Sequence, residues 1–132
     1  MRISQALYDE LVEHAREDAP DECCGVIASL NDEAVAVYRA ENVFHSPMRY
    51  EMDGKEQLRI YNAIEDAGLQ LGAIYHSHTR SEPYPSQTDV NLADNWPDPL
   101  YIIIGLASGP EPKVRAYVIS DGEVAEADLS VY

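Results

Sequence analysis

"LGAIYHSHTRSEPYPSQTDVNLAD", residues 71–94, changes character twice within a short span. It opens as a continuous apolar run, the pattern of a buried strand, and turns polar only at the carboxyl end, His76-Ser77-His78. Side chains two apart on a strand point to the same side, so His76 and His78 can converge on one point beyond the sheet edge. After seven intervening residues comes Ser86, and Asp89 stands three further on. Ser-x-x-Asp there reads as the start of a helix capped by Ser86, with Asp89 in its first turn; an ordinary capping box has the same form. Two neutral imidazoles and a carboxylate are the ligand set of a catalytic rather than a structural zinc, because they leave a fourth position open. Hydrolysing an amide at such a centre also needs a carboxylate that is not a ligand, to take a proton from water and return it to the leaving nitrogen.

Working outward, Ser4 is placed to cap a helix running to about Asp18, with Leu7, Leu11 and Ala15 on one face and Pro20 ending it. "VIASL" (26–30), the turn pair Asn31-Asp32 and "AVAVY" (34–38) read as a β-hairpin. "RYEMD" (49–53) reads as a short strand. Asp53 with Glu56 resembles a capping box for a helix through Leu58, Tyr61 and Ile64 to Gly68. "LYIIIGL" (100–106) and "KVRAYVIS" (113–120) are further strands, and Asp121-Gly122 turns the chain into a last short one. With no repeat or linker, the order predicts an α/β or α+β sandwich around a mixed sheet, one domain over residues 1–132.

Composition narrows the class. At 132 residues and 45% hydrophobic, the chain is long enough to bury a core. No apolar run reaches the roughly 18 residues of a spanning helix, and the amino terminus lacks a signal-peptide core, so the expected setting is the cytoplasm. Cys23 and Cys24 are adjacent and do not form a disulfide framework. A formal net charge of −15 speaks against nucleic acid and against an anionic membrane; it suits a basic protein partner, or serves solubility alone.

With "DECCG" (21–25) upstream of the His-Ser-His, seven-residue, Ser-x-x-Asp pattern, the chain resembles the JAMM metalloproteases, also called MPN-plus domains. The resemblance implies a single-domain, cytidine-deaminase-like α/β/α sandwich with a mixed central sheet, the JAB/MPN fold. It implies one Zn²⁺ per chain held by His76, His78 and Asp89, Glu22 as general acid/base, and Ser86 steadying the oxyanion. Without the family pattern, Glu22 and Asp21 remain equal choices. The chain is most similar to small stand-alone members that remove cysteine from the Gly-Gly tail of a ubiquitin-like sulfur-carrier protein. That likeness runs through "HAREDAPDECCGV" (14–26), "ENVFHSPMRYEMDGKEQL" (41–58) and "RAYVISDGEV" (115–124). The implied partner is such a carrier, and the reading admits a homodimer. An isopeptidase freeing a ubiquitin-like protein from lysine shares the mechanism; a metal-free binding scaffold is the non-catalytic alternative, against which the intact ligand set argues. His14, on the polar side of the first helix, and His45 have no partner at ligand spacing and read as structural or surface residues. Cys24 reads as a packed hydrophobe. Arg80, Glu82 and Tyr84, lying between His78 and Asp89, border the cleft, either to clamp a substrate tail or to cover the loop.

Overall fold

The computed structural model describes residues 1–132. In chain order the elements are β1 (Arg2–Ile3), α1 (Gln5–Asp18), β2 (Cys24–Leu30), β3 (Glu33–Ala40), α2 (Gly54–Asp66), β4 (Gln70–His78), α3 (Gln87–Ala93), β5 (Leu100–Gly105), β6 (Lys113–Ser120), β7 (Glu123–Ala127) and β8 (Ser130–Val131). Most follow from local chemistry. Ser4 accepts the Leu7 N–H at 3.3 Å and starts α1. The β2–β3 hairpin turns on Asn31 (φ 51°) and Asp32 (φ 64°), two residue types that tolerate the left-handed pair a tight hairpin requires. At the end of α2, Gly68 takes φ 72°, and its N–H and that of Leu69 bond back to Glu65 and Ile64 carbonyls at 2.9 and 3.0 Å.

All eight strands form one mixed sheet in the order β7-β6-β5-β4-β2-β3-β1-β8. β4 lies at its centre, antiparallel to β2 and parallel to β5. The two edge strands, β7 and β8, are separated in sequence only by Asp128 and Leu129, so the twisted sheet must curl until its edges approach each other. The amino terminus closes this seam, donating to the Asp128 carbonyl at 2.8 Å. On one face α1 packs Leu11, Val12 and Ala15 against Ile27, Tyr75, Ile102 and Ile104. On the other, Ile60 and Ile64 of α2 and Ala93 of α3 pack against Val26, Ile74, Tyr101, Ile103 and Tyr117. The result is the expected α/β/α arrangement. No helix is long and apolar enough to cross a membrane.

Three local expectations are corrected. Residues 49–53 form no strand: Tyr50 and Met52 point inward with strand-like alternation, but no strand lies beside them, and the segment is held instead by the Asn42 side chain, which donates to the Arg49 carbonyl and accepts the Glu51 N–H. In α2 the buried face carries Ile60 and Ile64 while Leu58 is 61% exposed, and Glu56 accepts the Glu41 N–H at 2.8 Å, tying the helix to the end of β3 instead of completing a box with Asp53. His14 is buried, because i+3 from Leu11 falls on the same helix face as Ala15. Its Nδ1 lies 2.7 Å from the Tyr75 hydroxyl and its Nε2 3.3 Å from Asp18.

Candidate metal centre

The site begins with the register of β4 against β2. Cys24 lies opposite His76, and the same antiparallel register carried two residues further sets Glu22 opposite His78. Beyond the strand proper, Ser77 N donates to the Cys23 carbonyl at 3.2 Å and Cys23 N donates to Ser77 Oγ at 2.8 Å, which continue the pairing. The two-residue period then sends His76, His78 and Glu22 toward the face of α2 and α3, and Tyr75 and Ser77 toward α1. On the other flank, parallel pairing aligns His76 with Ile103 and His78 with Gly105.

Residues 79–86 cross the end of β5 and return as α3. This crossing needs Gly105: a Cβ there would lie 2.8 Å from Pro83 Cδ and 3.0 Å from its Cβ. The Tyr117 hydroxyl donates to the Pro83 carbonyl and Thr79 Oγ1 to the Pro20 carbonyl, so the loop is pinned from two sides. His78 Nδ1 lies 2.8 Å from the Glu82 carbonyl; since a carbonyl only accepts, Nδ1 carries the proton and Nε2 keeps its lone pair. At the start of α3 the capping box is complete, with Ser86 Oγ accepting Asp89 N–H at 3.1 Å and Asp89 Oδ2 accepting Ser86 N–H at 2.8 Å. The cap that begins the helix therefore also aims the carboxylate.

Three donor atoms meet. His76 Nε2, His78 Nε2 and Asp89 Oδ2 are separated by 3.1, 3.1 and 3.2 Å, and all three residues are buried. Bonds of 2.0–2.2 Å to a tetrahedral ion would set such atoms about 3.3–3.6 Å apart, so a small cation fits after an adjustment of a few tenths of an ångström. Burial would raise the Asp89 carboxyl, but its attraction to either imidazole when that ring is protonated, together with the Ser86 N–H, favours the carboxylate and holds it well below the usual range. Burial lowers His76, which favours its neutral, metal-ligating form; for His78 burial is outweighed by the hydrogen bonds to Asp89 and Glu82, which raise it. A divalent cation satisfies all three inward-facing atoms at once, whereas one proton serves only two of them. The donor set, two nitrogens and a carboxylate oxygen, suits a divalent first-row metal and leaves coordination positions open.

Glu22 stands beside this cluster with 4% of its surface exposed and Oε1 without a hydrogen-bond partner. Burial pushes its carboxyl up to about 7, with His78 pulling it down and Asp89 pushing it further up. Its backbone is held by Ser46, which accepts its N–H at 2.8 Å, and by Asn42, whose Nδ2 donates to its carbonyl at 3.0 Å. Asp21, by contrast, is only half-buried. Glu22 also lines an open cleft of about 600 Å³ with Asp18, Asp21, Arg39 and Glu41. The Ser86 side chain is exposed, its oxygen accepting from Asp89 and its proton free to donate.

The remaining candidates separate cleanly. Cys23 and Cys24 are fully buried and unpaired, burial pushing the Cys23 thiol up to about 12 and Cys24 higher still, so neither is a nucleophile. His45 is exposed and faces Glu41 at 3.3 Å. Arg80, Glu82 and Tyr84 are exposed, and the Tyr84 ring meets Tyr117 edge-on at 5.6 Å. Two residues that pattern reading passed over surround the site: Asn42, whose side chain ties Glu22 to residues 44–51, and Tyr50, which stacks on His76. Only the inward alternation of Tyr50 and Met52 hinted at either.

Residues 4–120 match the family described as prokaryotic homologs of the JAB domain. The chain is 41% identical to the CysO-cysteine peptidase of Mycobacterium tuberculosis, over 98% of this chain and 89% of that protein. It is 36% identical to a desampylase of Haloferax volcanii, over 93% and 90% of the two chains. A solution structure of a Desulfitobacterium hafniense protein superimposes with a TM-score of 0.85 at 28% identity, covering 99% of this chain and 92% of that one. The chain belongs to the prokaryotic JAB family.

Proposed function

We propose that the protein is a zinc metallopeptidase that hydrolyses the amide bond after the carboxyl-terminal glycine of a ubiquitin-like sulfur-carrier protein and releases cysteine. As a member of the JAB family the chain is a hydrolase, and its relatives act on ubiquitin-like proteins or their conjugates. The observation that carries the reading is the meeting of His76, His78 and Asp89 beside a buried, unpartnered Glu22 oxygen. His76, His78 and Asp89 would hold one zinc ion per chain. Such an ion supplies Lewis acidity, polarising the amide carbonyl and lowering the pKa of water to about 7.

The chain's own residues do the rest. Glu22, its carboxyl raised to about 7 by burial, is suited to take a proton at Oε1 from the attacking water and to return it to the departing amine. The free proton of Ser86 is suited to donate to the developing oxyanion. Residues 43–49 and 79–86 flank Glu22 and His78 respectively, and are the segments an extended glycine tail would meet on reaching the site. Two buried free cysteines accord with a reducing, cytoplasmic setting. Mass spectrometry of a carrier–cysteine adduct incubated with the zinc-loaded protein is expected to record loss of the terminal cysteine. Persistence of that adduct, with cleavage of a lysine-linked conjugate instead, would establish the second reading, an isopeptidase. That alternative is favoured by the Haloferax relative and by the acidic cleft beside Glu22, which suits a lysine-bearing segment.

A further inference from the structure

A metal-ligating histidine ordinarily donates its second ring N–H to a carboxylate, carbonyl or water, and that bond fixes which nitrogen faces the ion. His78 obeys this rule through Glu82, but His76 does not: its Nδ1 is buried and has no hydrogen-bond partner. What touches the His76 ring is Tyr50, stacked with ring centroids 4.5 Å apart and planes inclined by 23°, while the His78 ring meets it edge-on at 4.9 Å. Resting on the zinc reading of the site, we infer that Tyr50 is the positioning residue of the metal centre, holding His76 by ring stacking in place of the missing hydrogen bond.

Tyr50 can serve this purpose because its backbone is fixed although it lies in no regular element. Asn42, itself buried, donates from Nδ2 to the Arg49 carbonyl at 3.0 Å and accepts the Glu51 N–H at 3.3 Å, so both neighbours of Tyr50 are tied to one side chain. Val43 N donates to the Glu51 carbonyl at 2.9 Å and closes the loop. The same Asn42 Nδ2 reaches the Glu22 carbonyl. One side chain thus couples the placement of the acid/base candidate to that of the ring behind His76. Removing the Tyr50 ring frees the His76 imidazole to rotate about its Cβ–Cγ bond, which swings Nε2 away from the point where it meets His78 and Asp89.

The test uses the full chain and Zn²⁺ alone, by competition with a chromophoric chelator, with the Co²⁺ absorption spectrum as a report on ligand geometry. Tyr50→Phe keeps the stack and is expected to bind zinc within about threefold of wild type with the same Co²⁺ spectrum. Tyr50→Leu is expected to lose about 10–100-fold in affinity, the usual cost of removing a group that orients a ligand, and to alter the spectrum. Met52→Ala, in the same segment and core but with no ring to stack, controls for destabilisation and is expected to retain affinity. Equal zinc binding by Tyr50→Leu and wild type, equal loss in Tyr50→Phe and Tyr50→Leu, or equal loss in Met52→Ala and Tyr50→Leu would each overturn the inference. Failure of the wild type to bind zinc would instead overturn the metal-site reading on which it rests.

Discussion

Glu22 should make the metal-free protein less stable, and Glu22→Gln should reveal it. The folded carboxyl sits at about 7 against an ordinary value of 4.5, chiefly because burial disfavours its charged form. The folded state therefore binds this proton more tightly than the unfolded state, so stability falls as pH rises from 4.5 to 7 and is level beyond. At about 1.36 kcal/mol per unit, the full displacement corresponds to roughly 3 kcal/mol; the open cleft along Glu22 admits solvent and reduces this to about 1–2 kcal/mol. Glutamine has nearly the same shape and no charge to bury. Urea unfolding of chelator-treated wild type and Glu22→Gln at pH 4.5 and pH 8 should give a stability difference that shifts by about 1–2 kcal/mol in favour of the variant at the higher pH. Any pH-independent cost of burying the amide cancels in that comparison. The zinc-loaded variant should meanwhile lose about 10²–10⁴ in kcat with KM little changed. A difference that does not change with pH, or moves toward the wild type at pH 8, would refute the reasoning about burial.

Metal analysis of the reconstituted protein should find about one zinc per chain, lost in Asp89→Ala and kept in Glu22→Gln; equal loss in both would reverse the assigned roles. Gly105→Ala should cost about 1–3 kcal/mol by overpacking against Pro83 and should weaken zinc binding by shifting the loop that carries the Glu82 carbonyl, as thermal melts and metal titration will record. Ser86→Ala should lower stability by about 1 kcal/mol through the α3 cap and slow single-turnover cleavage about 10²–10³-fold; a variant as fast as wild type would remove Ser86 from the chemistry.

What the sequence by itself determined was local. His76 and His78 share a side because a strand has period two, and Ser86 with Asp89 marks a helix start because a capped amide needs that spacing. The first helix, the hairpin at Asn31-Asp32 and the apolar central strands follow from similar short-range rules. Glu22 is different. Only the resemblance to a known family singled it out from Asp21, and only the pairing of β2 with β4, across 54 residues between Cys23 and Ser77, sets it opposite His78 and desolvates it. The curl that brings β7 and β8 together, the burial of His14 against Tyr75 and the irregular segment that lays Tyr50 on His76 were likewise decided by the tertiary structure. Side-chain direction within an element is dictated by backbone geometry over a few residues, whereas register, burial and the contacts of a loop depend on which distant segment the sheet supplies as a neighbour.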